Sequence, residues 1–233
     1  MRTLFRSGAV ALAAMSLASC STGGQRLTQS GFLGDYAKMQ KVEDEGNDAL
    51  WVAPSYLPAR YTSVIVERPE WLAAKRDAVT QARLSQALHD QLTEQLGARY
   101  RILSGNPKPG TLRVRTAITD TRRTRWFANV PAQVAYSAVV GGVGTLLAPL
   151  QGGASVEMQV EDAQVGQPLV RMAAYRNGKR CDVKGNYVAY RHAEQAFDKA
   201  ATLLHGAMTG NGEVVMRVGK LAYEVPKDHG AAQ

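Results

Sequence analysis

Leu84, Ala87, Leu88, Leu92 and Leu96 recur three or four positions apart, in a stretch without Gly or Pro from 74 to 96 and followed by Gly97. That spacing draws one apolar stripe along a helix, and Gly97 marks its stop. Other stretches change to a period of two. Tyr61 to Val66 is aromatic and β-branched and is closed by Pro69, which predicts a first strand. Tyr100 to Leu103 predicts a second, and Leu112, Val114, Thr116 and Ile118, alternating with Arg113, Arg115 and Ala117, a third, with the loop 105–110 between them. Val156, Met158 and Val160 alternate with Glu157, Gln159 and Glu161, and Val170, Met172 and Ala174 follow the turn AQVGQP; the pair reads as a hairpin with one buried face. A last stripe, Ala193, Phe197, Ala200, Leu204 and Met208, predicts a helix capped by Asn186 and ending near Gly210.

The order β-α-β-β-insertion-β-β-α predicts an α+β fold: a two-layer sandwich, with a largely antiparallel sheet of about five strands and two main helices on one face. The insertion is apolar and Gly-rich, with no charge from Phe127 to Val156. A single crossing of a bilayer there would put the flanking strands of one sheet on opposite sides, so a buried or partly buried helical excursion is expected instead. Within it Ser137, Gly141, Gly144 and Ala148 form a stripe of small residues, a packing or partner face for a helix of the same chain, of a second copy or of another protein.

The first twenty residues follow another pattern. Arg2 and Arg6 precede an apolar run, Gly8 to Ala18, that falls short of the roughly 18–20 residues a membrane span needs. This is a secretory signal peptide, and Leu17-Ala18-Ser19-Cys20 is the form bacterial lipoproteins use, with Cys20 as the lipid attachment point. The expected organisation is signal peptide 1–19, lipidated linker 20–29, a single periplasmic α/β domain 30–226 and a tail 227–233. Ser21, where an aspartate would favour retention in the inner membrane, points to the outer membrane, the domain facing the periplasm. Removing Arg2 and Arg6 lowers the net charge from +8 to +6, which suits contact with anionic lipid headgroups or cell-wall polymer. In that compartment nucleic acid is excluded as a partner. A lipidated Cys20 leaves Cys181, the other of the two cysteines, without a thiol to pair with, so no internal disulfide is expected.

Three further motifs carry a resemblance: Ser30-Gly31-Phe32-Leu33-x-x-Tyr36, the strand Tyr61-x-x-Val64-x-Val66, and Val156-Glu157-x-x-x-x-Asp162-x-x-x-Gly166. Together with the lipobox they resemble a family of bacterial lipoproteins, domain of unknown function 3313, across nearly the whole mature chain. The resemblance implies an envelope lipoprotein with an α/β domain and no established chemistry. Position 165 is Val where the family's turn would have Thr.

Candidate chemistry is sparse. His89, His192, His205 and His229 do not cluster with acids or cysteine at metal-ligand or general-base spacings and read as surface residues. Lys179, Arg180 and Lys184 would lower the Cys181 thiol pKa, yet no histidine adjoins it in sequence. No cofactor motif is present. Arg113, Arg115, Arg122, Arg123 and Arg125 fall within thirteen residues, and their planar forks suit phosphate or another anionic envelope polymer. The expected function is a non-enzymatic, lipid-anchored domain that binds or scaffolds another envelope component, of open oligomeric state. The alternative is a cell-wall or lipid-modifying enzyme whose site is assembled from distant residues.

Overall fold

The computed structural model describes residues 29–42, 47–124, 152–177 and 188–210. In chain order the elements are β1 (Gln40–Val42), β2 (Asn47–Val52), a 3-10 turn (Pro58–Arg60), β3 (Ser63–Val66), β4 (Glu70–Trp71), α1 (Ala78–Gly97), β5 (Arg101–Ile102), β6 (Thr111–Arg122), β7 (Gly153–Asp162), β8 (Pro168–Asn177) and α2 (Arg191–Thr209).

The eight strands form one mixed sheet in the order β1-β2-β8-β7-β6-β3-β5, with β4 pairing β6 beyond the end of β3. Neighbours from β1 through β6 are antiparallel, whereas β3 runs parallel to both β5 and β6. The parallel edge follows from α1, a crossover that returns the chain in the direction of β3. The sheet is larger than the five strands the alternation predicts. β1 and β4 are three and two residues long, too short to show a period. β2 starts inside the charged patch EDEGND, and its Asp48 is fully buried in an ion pair with Arg176 of β8.

Both helices keep their predicted stripes. In α1 the side chain of Asp77 accepts from the Thr80 N–H at 2.8 Å, so the helix starts at Ala78 rather than at 74. Leu84, Leu88, Leu92 and Leu96 are fully buried. In α2 Ala193, Phe197, Ala200, Leu204 and Met208 are fully buried, and Gly210, at φ 66°, closes the last turn. Asn186, its expected cap, lies outside the described residues. The helices pack on each other, α2 over β7 and β8 and α1 against β3, β4 and β5, and their stripes share one core with Val64, Leu112, Val114, Met158, Val170 and Met172. No helix among the described residues is long and apolar enough to cross a membrane.

The hairpin departs from its expected single buried face. Glu157, Gln159 and Glu161 point away from the helices, yet all three are buried. A second, smaller core explains part of this: Leu33, Tyr36 and Met39 from the segment ahead of β1 lie against Ala49 and Ala173 on that other side.

Candidate functional site

The register of the sheet prepares a seat for that segment. Ala49 pairs with Ala173, Ala173 with Glu157, and Glu157 with Ala117, so one row across four strands carries three alanines around one carboxylate. Methyl side chains leave room above the sheet, and residues 30–39 fill it as a strap. Gly31 at φ 91° and Gly34 at φ 72° permit its tight turns. The Tyr36 hydroxyl accepts from the Gly31 N–H at 2.9 Å and the Leu33 N–H at 3.3 Å, and donates to Glu157 Oε2 at 2.7 Å. Ser30 donates to the same carboxylate from Oγ at 2.6 Å and from its N–H at 3.2 Å. Burial and then the bond to Glu157 raise the Tyr36 pKa, keeping the phenol protonated as a donor.

Two other motif residues meet in the same manner. Tyr61 donates to Asp162 Oδ2 at 3.1 Å, and Asp162 Oδ1 accepts from the N–H groups of Gln164 at 2.9 Å and Val165 at 3.3 Å, ordering the turn that ends at Gly166. The residues that carry the family resemblance are therefore contact partners across the fold: Ser30 and Tyr36 with Glu157, Tyr61 with Asp162.

Beside the strap, the same face holds three of the five candidate arginines. Arg113 lies 3.2 Å from Glu67 and 3.4 Å from Glu161, and Arg115 lies 3.1 Å from Glu70 and over the Phe32 ring. Arg122 lies 3.1 Å from Asp120, donates to the Tyr175 hydroxyl and the Asn177 amide oxygen, and stacks on the Tyr175 ring. Arg171, which sequence reasoning did not single out, joins them through Asp35 at 3.5 Å and lies over the Trp51 ring. An anion reaching these forks meets carboxylates already in place, and the face reads as a fixed pattern of alternating charge. Arg123 is exposed. Arg125, Cys20, Cys181, Ser137, Gly141, Gly144 and Ala148 lie outside the described residues.

His192 departs from the surface reading, since it is buried at the start of α2 with Nδ1 3.3 Å from Gln195 Oε1. The first turn of α2 is pressed on the sheet, and Ala193 and Ala196 are buried beside it. Among the described residues no group of three or more His, Cys, Asp or Glu is placed to hold a metal ion.

The model of a family described as Protein of unknown function (DUF3313) matches residues 28–204. No curated protein matches the chain. Among solved structures, the PelC dodecamer from Paraburkholderia phytofirmans is 14% identical and aligns over 69% of this chain and 97% of its own, with a TM-score of 0.41. A DUF4136 family protein from Bacteroides thetaiotaomicron is 9% identical over 73% of this chain and 100% of its own, with a TM-score of 0.39. A DUF330 protein from Xanthomonas campestris is 13% identical over 69% and 91%, with a TM-score of 0.34.

Proposed function

The chain belongs to the DUF3313 family, and from that premise we propose that it is a lipid-anchored protein of the cell envelope, attached through Cys20 to the outer membrane with its domain in the periplasm. The domain works by binding or scaffolding another envelope component and not by turnover. The observation that carries this reading is the clasp of the strap. Ser30 stands ten residues after Cys20 and is bound to Glu157 in the centre of the sheet. Ten extended residues reach at most about 33–36 Å, so an acylated Cys20 holds the sheet, and not a loose tail, at a bounded height above the bilayer. Each buried methylene of the lipid contributes about 0.8 kcal/mol, and the chains carried by an acylated N-terminal cysteine exceed the one that gives only reversible attachment. Side chains that neutralise one another on a rigid sheet offer a constant charge pattern, which is what a scaffolding face needs.

Metabolic labelling with a clickable fatty acid, followed by separation of inner and outer membranes, tests the reading. The parent protein is expected to carry label in outer-membrane fractions, and Cys20→Ala to lose the label. Undiminished labelling of the variant would overturn the assignment.

A further inference from the structure

At the end of the sheet where β3, β5 and β6 begin and β7 finishes, four cations gather: Arg60 on the 3-10 turn, Arg99 and Arg101 around the start of β5, and Lys108 before β6. Backbone bonds set them together. The Thr62 N–H donates to Gly110 O at 3.0 Å, the Arg101 N–H to Thr62 O at 3.0 Å, and the Thr111 N–H to Lys108 O at 3.1 Å. All four are exposed, and none joins an ion pair among the described residues. Among the described residues the acids near this end are Asp162, whose carboxylate is taken up by Tyr61 and the turn N–H groups, Glu161, paired with Arg113, and Glu94, one turn back on α1.

The same end exposes two large apolar side chains. Leu57, 48% exposed, directly precedes the turn bearing Arg60, and Val165, 73% exposed, tips the β7–β8 turn, which the Ala163 N–H ties to Thr111 O. Apolar tips ringed by cations suit the boundary between headgroups and acyl chains, where apolar burial and attraction to anionic lipid add. We propose that this end of the domain docks on an anionic bilayer surface, Leu57 and Val165 entering the headgroup layer while Arg60, Arg99, Arg101 and Lys108 meet lipid phosphates. The inference deepens the proposed function and rests on Cys20 being the anchor for its geometry. Ser30 is held at Glu157, five residues from Asp162 along β7, or about 17 Å at strand rise. Residues 20–29 span up to about 33–36 Å, so the tether lets this end reach the membrane.

The test uses the mature chain, residues 20–233, bearing Cys20→Ser, so that binding is independent of the lipid and of the signal peptide, in flotation with vesicles of phosphatidylcholine alone or of equal parts phosphatidylcholine and phosphatidylglycerol. The protein is expected to float with the anionic vesicles only, and less so as salt rises. A cation held at an anionic surface contributes about fivefold, so Arg99→Gln/Arg101→Gln should cut partitioning about 25-fold. Leu57→Ser/Val165→Ser should cut it as well, whereas Lys75→Gln/Arg191→Gln at the other end leaves it unchanged. The proposal is overturned by absent flotation, by an equal loss in the Lys75/Arg191 pair, or by release with inorganic phosphate at constant ionic strength, which marks a phosphate site. A failed anchor assignment shows separately, as undiminished labelling of Cys20→Ala.

Discussion

Tyr36 is the residue through which the strap is held, because its hydroxyl closes the turn at Gly31 and Leu33 and at the same time reaches Glu157. Tyr36→Phe keeps the ring in its core and removes one oxygen. Two backbone N–H groups then lose their acceptor and Glu157 loses a donor, and an unsatisfied buried polar group costs about 1–3 kcal/mol. The expected outcome is a lower melting temperature together with faster proteolytic cleavage near residues 30–39. A variant that melts and resists protease like the parent would show that the hydroxyl does not hold the strap. Asp48 and Arg176 form the other singular residue pair, buried on the helix side of the sheet. That charge is what concealed β2, because its first residues Asn47 and Asp48 close the polar patch while Ala49 to Val52 are apolar without alternation.

At the scale of elements, the sheet has two faces with different rules. The helix face is a continuous apolar layer, where the alternation of β6, β7 and β8 meets the stripes of α1 and α2. The strap face depends on small side chains in register, Ala49, Ala173 and Ala117 flanking Glu157. Ala173→Leu puts bulk beneath Tyr36 and Leu33, and overpacking costs about 1–3 kcal/mol. The strap is expected to lift while the helix-side core stays intact. Protease should then remove the N-terminal segment from a domain whose far-ultraviolet dichroism is unchanged; a strap as resistant as in the parent would refute the row of alanines as its seat. Loss of the dichroism itself would place Ala173 in the main core, contrary to its orientation.

The whole molecule gathers these terms into a dependence on pH. Tyr36, Tyr56, Tyr61 and Tyr175 all have pKa values raised above 10.0, chiefly by burial, with bonds to Glu157 and Asp162 adding at Tyr36 and Tyr61 and the Arg122 charge opposing at Tyr175. A raised folded-state pKa means that the unfolded chain releases its phenolic protons first as pH climbs. The contribution is therefore present below pH 10 and is lost progressively above it. Asp77 has the opposite sign. Bonds from Thr80 lower its carboxyl below 3.8, so its contribution is present above that pH and fades in stronger acid. Denaturant titrations across pH 9 to 12 should show stability falling, with a shallower fall in Tyr36→Phe. A stability flat to pH 12 would contradict the burial of these four phenols.

Local periodicity was enough to reveal the elements that carry their own signal. The stripes of α1 and α2 repeat every three or four residues over about four turns, and β6 alternates from Leu112 to Ile118, with shorter runs in β7 and β8. Their order already implied helices packed on a sheet. Tertiary structure decided what depends on partners far away in the chain. The clasp joins residues 121 and 127 positions apart, so nothing near Glu157 announces that it is buried and bonded to Ser30 and Tyr36. The arginines of β6 gave a strong local signal, yet whether a fork is free depends on which carboxylates the register sets opposite it, here Glu67, Glu70, Asp120 and Glu161. The cations at the sheet end left a fainter trace, a run from 95 to 119 without any acid. Arg60 joined them only because β3 lies between β5 and β6. A helix or strand is encoded within a few residues of itself, whereas a face is shared among strands that meet only when the sheet closes.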